Sequence, residues 1–193
     1  MNRHYHYVGP AEIREQVRPG SRGFLITSRD DLDAWLKVQA EEEREDPFTF
    51  VIDVRGMLLL APRRSEHVAC AGGDPVLGAG EIAFTRDGDR WSVHEISNQS
   101  TGYCPDVTSW TAVEAALDRA GLTRPHAFTY VIVFRRCPRC HQRNIVKDGH
   151  FVCAVCEAPL PDAWNVDRPD EDPAATRVRR ERRSPRTGRG RPT

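Results

Sequence analysis

Three patterns predict an α+β protein: an antiparallel β-meander with two helices, then a small cysteine-built module, then a basic tail. From Phe48 to Ser97 the apolar residues run or alternate with the period of strands (FTFVIDV, MLLLA, WSVHEIS) and are punctuated by Gly and Asp turns. Two segments, one before and one after this stretch, carry apolar residues at helical spacing. Four of the six cysteines then fall as two CxxC pairs between Cys137 and Cys156. The chain divides into an α+β domain over residues 1–132, the cysteine module over 133–165 and an Arg-rich tail over 166–193.

The elements follow in order. Within His4-Tyr5-His6-Tyr7 the two histidines would share one strand face, an arrangement metals sometimes exploit, and read instead as surface residues near a mobile terminus; Ala11 to Val17 reads as a short helix. A short strand, Gly23 to Thr27, follows the turn at Pro19-Gly20-Ser21. Ser28 places a hydroxyl three residues before Asp31, a capping-box-like start, and Leu32, Trp35, Leu36 and Gln39 continue at helical spacing for about four turns. The acidic run EEERED before Pro47 reads as a solvated face. Strands are expected at FTFVIDV and MLLLA, joined at Arg55-Gly56, and at WSVHEIS after a turn at Asp87-Gly88-Asp89. A second helix fits Ser109 to Ala120, with Thr108 as N-cap and Gly121 as its stop. The strand Phe128 to Phe134 then leads into the cysteines.

At 193 residues with 39% apolar content the chain can bury one real core beside a small appendage. No apolar run reaches the length of about 18 residues needed to span a bilayer, and MNRHYHYVGP lacks the apolar stretch of a secretory signal, so a cytoplasmic, non-membrane protein is expected. The zero net charge conceals a division: residues 177–193 carry +7 and residues 1–176 carry −7. The tail is rich in Arg, Pro and Gly and cannot bury enough surface to fold alone, so it reads as disordered. Arginine outnumbers lysine 26 to 2 throughout, which points to base composition as one source of the bias.

Cys137-Pro-Arg-Cys140 and Cys153-Ala-Val-Cys156 are separated by twelve residues that read as a hairpin, Asn144 to Lys147 turning at Asp148-Gly149 into His150 to Val152. Each CxxC turns its backbone so that two thiolates converge on one ion, and a hairpin brings the pairs to tetrahedral spacing. This resembles a zinc ribbon, and Cys137, Cys140, Cys153 and Cys156 are the expected ligands of a structural Zn²⁺. Arg135, Arg136, Arg139, Arg143 and Lys147 surround them and form either a phosphate-tracking patch or charged, solvated knuckles.

The stretch RSEHVACAGGDPVLGAGEI places four glycines where strands are expected. His67, Glu81, Tyr103 and Cys104 are candidates to line a pocket, with Gly72, Gly73, Gly80, Asn98 and Ser100 as ligand-binding positions. The alternative is bulged, curved sheet with no site. His67, Gly73, Ala79, Gly80, Ser100, Tyr103 and Pro105 match a pattern of about 40 residues (His-Ser-Ser-Phe-x-Ala-Gly-Gly, Ala-Ala-Gly, Ser-Gly-His-Tyr-x-Pro). It resembles the β-rich domain of an uncharacterised bacterial family whose pattern also occurs in plant calmodulin-binding proteins of the IQ-motif type. Gly102 replaces the pattern's second histidine, and Val68 and Ala69 replace its serines. The resemblance implies a fold unit and no reaction.

Three functions follow as expectations. The first is a zinc-binding recognition or adaptor protein that contacts a protein or nucleic-acid partner through the ribbon and basic tail. The second is a small enzyme acting on a nucleotide-like or acyl ligand through His67, Glu81, Tyr103 and Cys104, and the third is a structural subunit of a larger complex.

Overall fold

The computed structural model describes residues 2–18, 20–88 and 90–166. The expected tail, apart from Val166, lies outside the described residues. The helices and strands run in the order α1 (Ala11–Glu15), β1 (Phe24–Ile26), α2 (Arg29–Lys37), α3 (Glu41–Arg44), β2 (Phe48–Asp53), β3 (Leu58–Ala61), α4 (His67–Cys70), β4 (Val76–Asp87), β5 (Arg90–Ile96), α5 (Trp110–Arg119), β6 (Val133–Arg136) and β7 (Arg143–Val146). No helix among the described residues is long and apolar enough to cross a membrane.

The fold is α+β, as the patterning predicts. Strands β1 to β5 form one antiparallel sheet in the order β1-β3-β2-β4-β5. Strand β2 therefore sits between β3 and β4, and both of its faces are covered. This explains why FTFVID and LLLA read as continuous apolar runs: in a strand with two buried faces, neither set of alternate residues meets water. On one face Phe50, Ile52, Leu58, Leu60 and Ile82 pack against Leu32, Trp35 and Leu36 of α2 and Val113, Ala116 and Leu117 of α5. Each fully buried large side chain here contributes about 1.5–3 kcal/mol. On the other face Val51, Leu59, Ala61 and Ala79 meet Val68 and Cys70 of α4, with Tyr5, Tyr7 and Tyr103.

That second cluster corrects one part of the reading of the N-terminus: His4 is exposed as expected, but the segment that carries it is anchored. Tyr5 exchanges two backbone hydrogen bonds with Val76, and Tyr5, Tyr7 and Val8 are buried. The alternation His-Tyr-His-Tyr is thus that of an extended segment laid on the sheet with its tyrosines inward.

Helix α2 starts as expected, with the Ser28 hydroxyl accepting from the Asp31 N–H, but it ends at Lys37. The Gln39 side chain donates to the Trp35 carbonyl and closes the last turn. The acidic run then opens a separate helix, where Glu41, Glu42 and Glu43 occupy the favourable positive end of the dipole. α5 itself has no side-chain cap at its flanking residue Ser109, and in place of the expected Thr108 the preceding turn is capped by Asp106. Its carboxylate accepts from the Thr108 N–H at the head of a 3-10 turn, Val107–Ser109, that runs into the helix. Gly121 ends α5 with φ +69°, and the Leu122 N–H returns to the Leu117 carbonyl.

The expected strand Phe128 to Phe134 is shorter. Thr129 and Tyr130 donate to Ile96, and the strand proper begins at Val133, where it pairs with β7 and not with the main sheet.

Candidate metal centre

Two β-hairpins carry the cysteines. The first joins β6 to β7 in the register Val133↔Val146 through Arg136↔Arg143. The second is held by a Val152↔Pro159 bridge and by the Leu160 N–H on the Phe151 carbonyl. The predicted pairing of Asn144–Lys147 with His150–Val152 is therefore corrected: Asp148 and Gly149, both at positive φ, form the connection between the two hairpins. Each CxxC is the tip of its own hairpin.

The two tips repeat one geometry. The Cys137 N–H donates to Gln142 at 2.8 Å and the His141 N–H to Cys137 at 2.9 Å; the Cys153 N–H donates to Ala158 at 2.9 Å and the Glu157 N–H to Cys153 at 3.0 Å. The fifth residue of each tip is left-handed, His141 at φ +61° and Glu157 at φ +57°. This turn directs N–H groups at sulfur. The N–H groups of Cys140 and Arg139 hold the Cys137 thiol below its usual range. That of Val155, joined by that of Cys156, lowers Cys153 to about 6.

All four sulfurs lie within 4.8 Å of one another, with Cys137–Cys156 and Cys140–Cys153 each at 3.6 Å. A tetrahedral ion with Zn–S bonds of about 2.3 Å sets its sulfurs about 3.8 Å apart, so the four fit an ion such as Zn²⁺. All six cysteines are free thiols. Cys137 and Cys153 are fully buried, and Asn144 fixes the second tip by accepting from the Ala154 N–H and donating to Cys153 Sγ.

The charges around the centre divide by role. Arg139, Arg143 and Lys147 are exposed. Arg135 is buried: its guanidinium donates to the carbonyls of Phe134, Pro161 and Asp162 and stacks on Phe151. It is an internal brace, which corrects its expected place in a surface patch.

Residues 161–166 tie this module to the body. Asn165 bonds both the N–H and the carbonyl of Arg136. Trp164 donates from Nε1 to the Cys104 carbonyl at 2.8 Å, packs edge-on against Tyr5 and lies under the Arg3 guanidinium. Val166 joins Val8, Cys104, Ile132 and Phe134 in one apolar cluster.

The glycine-rich segment is occupied by its own architecture. Gly72 and Gly73, at φ +68° and +85°, terminate α4, with the Gly73 N–H on the Val68 carbonyl. A Cβ on Gly80 would overlap the Ser97 carbonyl oxygen, because the chain leaving β5 passes directly over β4. Asn98, fully buried, donates to Pro105 and Ile132 and accepts from Ile132. Ser100 is buried, and its hydroxyl has no partner among the described residues.

The four candidate catalytic residues are tied down separately. His67 Nε2 donates to the Gly80 carbonyl at 2.9 Å, and burial keeps its imidazole below the usual range. Tyr103 donates to the Asp74 carbonyl, with burial pushing its phenol upward. Cys104 donates to the Thr101 carbonyl, and burial pushes its thiol up to about 12. Burial also raises Glu81, which lines a different cavity from Cys104. Among the described residues no hydrogen bond joins any two of the four. A thiol that titrates near 12 offers almost no thiolate at neutral pH.

Neither a protein-family model, a curated protein nor a solved structure matches the chain. The resemblance of residues 67–105 to a bacterial β-rich domain gains no support from these comparisons. Sequence reasoning missed Tyr5, Trp164 and Asn165, which join the module to the body. It also missed Asp53, a buried carboxylate that accepts from the N–H groups of Arg55 and Met57 and faces Arg22 and Arg55. The alternation at the N-terminus was the one signal available for Tyr5.

Proposed function

We propose that the protein is a zinc-binding recognition or adaptor protein, in which the four-cysteine centre is structural and the module built on it contacts a macromolecular partner. The observation that carries this reading is the closed set of four convergent sulfurs. With four protein ligands there is no open coordination position for water or substrate, so the ion orders a platform and does no chemistry. Arg139, Arg143 and Lys147 lie exposed on the module, and the Arg-rich residues 177–193 follow it in sequence. Such a set favours a partner of negative charge, nucleic acid first. The enzyme reading is weaker because His67, Tyr103 and Cys104 are each committed to a backbone carbonyl.

The test has two parts. Elemental analysis of purified protein should find one zinc per chain. Binding to a nucleic-acid duplex should weaken steeply with salt and be lost on deletion of residues 177–193. Zinc-loaded protein that ignores nucleic acid but captures a single stoichiometric protein partner would favour the structural-subunit alternative.

A further inference from the structure

A cleft of about 440 Å³ opens between the body and the cysteine module. Tyr7, Pro10 and Glu66 stand on the body wall; Phe134, Arg143 and Ile145 belong to the facing hairpin. Because Phe134 pairs with Ile145 and Arg136 with Arg143, these side chains share the hairpin face away from Asn144, which addresses the sulfurs. Phe134 packs against Cys104 of the body, so that face is the one turned toward the cleft.

Thr101, Gln142 and Asn144 are among the polar residues that line it, and three further side chains there, Tyr7, Glu66 and Arg143, have no hydrogen-bond or ion-pair partner among the described residues. The Tyr7 ring is seated between Gly9 and Gly102: a Cβ at Gly102 would lie 2.6 Å from the ring, and one at Gly9 would overlap the hydroxyl. Its edge packs on Tyr103, yet its hydroxyl makes no hydrogen bond with any described residue. Glu66 and Arg143 form no ion pair with a described residue or with each other, and both act electrostatically on the Tyr7 hydroxyl with opposite sign. A carboxylate from the body and a guanidinium from the hairpin thus both line the cleft beside the phenol, and Pro10 on one wall and Phe134 and Ile145 on the other supply apolar surface. Cys104, a protonated thiol bonded to Thr101, adds no charge.

We propose that this cleft binds a small zwitterion of the α-amino-acid class with an apolar side chain. Its carboxylate would meet Arg143 and its ammonium Glu66, while its side chain rests on the apolar surface of Phe134 and Ile145 and the Tyr7 hydroxyl bonds the ligand's polar end. A concave site that sets placed polar and charged groups beside apolar surface is a usual form of small-molecule site. The inference goes beyond the adaptor reading and is independent of any macromolecular partner.

The test is an NMR titration of the full, metal-loaded chain with leucine, N-acetyl-leucine and leucinamide, each to about 10 mM, a range that detects weak binding. Leucine should shift the signals of Tyr7, Ile13 and Ile145. Arg143→Ala should weaken leucine and N-acetyl-leucine about tenfold while sparing leucinamide, and Glu66→Gln should weaken leucine and leucinamide while sparing N-acetyl-leucine. Both variants must keep their metal content, which shows that the module is still folded. If N-acetyl-leucine binds as tightly as leucine, the cleft is an anion site and the proposal fails. If none of the three shifts these signals, it fails outright.

Discussion

The carboxamide of Asn98 closes on both polar groups of one residue, Ile132: Oδ1 accepts from its N–H at 2.7 Å and Nδ2 donates to its carbonyl at 2.8 Å. Nδ2 also reaches the Pro105 carbonyl at 3.0 Å. This side chain takes the place of a missing strand partner just before β6, so it holds the start of the cysteine module to the end of the sheet. Asn98→Ala leaves three buried backbone groups unpaired and is expected to cost about 3 kcal/mol. Urea unfolding of the variant measures it. Asn98→Asp should cost nearly as much, since it places an acceptor against two carbonyls.

Loss of one sulfur should separate metal binding from the body's fold. Cys153→Ser is expected to abolish stoichiometric zinc and to remove hydrogen-exchange protection from residues 133–160, while the amides of β2 and β4 stay protected. Strong chelation of the unmodified protein should give the same exchange pattern. Loss of protection throughout the sheet would instead mean that body and module unfold as one unit.

At the two tips, His141 and Glu157 occupy left-handed backbone that glycine adopts without steric cost. His141→Gly and Glu157→Gly should each stabilise the module by about 0.5–1 kcal/mol, the relief of that strain exceeding the added entropy of the unfolded chain. Resistance of the metal centre to chelator at rising temperature reads this out. Glycine at the neighbouring Gln142, whose φ is ordinary, should destabilise.

Acid should weaken the fold through His67. Its folded-state titration lies below that of the unfolded chain, so the unfolded chain takes up more protons as pH falls. The stabilisation is whole above about pH 6.5, the unfolded value, and is lost as pH falls toward and through the folded one. Glu81, raised by burial, acts in the opposite direction over neighbouring pH values, so the difference between proteins isolates the histidine. His67→Gln keeps a donor for the Gly80 carbonyl and should flatten the fall in stability between pH 7 and pH 5, as followed by thermal melts across that range.

Gly80→Ala tests the close approach of the chain leaving β5 to β4. With the Ser97 carbonyl in the way of any Cβ, the substitution should cost about 3 kcal/mol by forcing the strands apart. Gly88→Ala, at φ +57° with nothing within 4 Å, measures the smaller cost of a left-handed residue without a clash, about 1 kcal/mol. Equal costs at the two positions would refute the close approach.

The four-cysteine site was legible because its signal is local: residue type and spacing alone bring sulfurs of a CxxC together. The α+β class was legible for a related reason, since strand and helix periods survive in short windows. What sequence could not convey is which groups meet across the fold. Gly80 reads as a ligand contact until the Ser97 carbonyl is seen beside it. Asn98 reads as a binding residue until Ile132, 34 positions away, takes up its amide. Arg135 reads as surface charge because nothing nearby predicts three carbonyls and an aromatic ring around it. The burial of Tyr5 could not be read locally because its partners, Val76 and Trp164, are remote in sequence.

Trp164 touches Arg3 and Tyr5, and this contact places a demand on biosynthesis. At a translation speed of about 5–20 residues per second, the opening residues wait on the order of 10–30 s for the tryptophan that completes their environment. During that interval Tyr5 lacks the ring that packs edge-on against it. A nascent chain halted before position 164 would present an uncovered aromatic surface to whatever chaperone attends the ribosome.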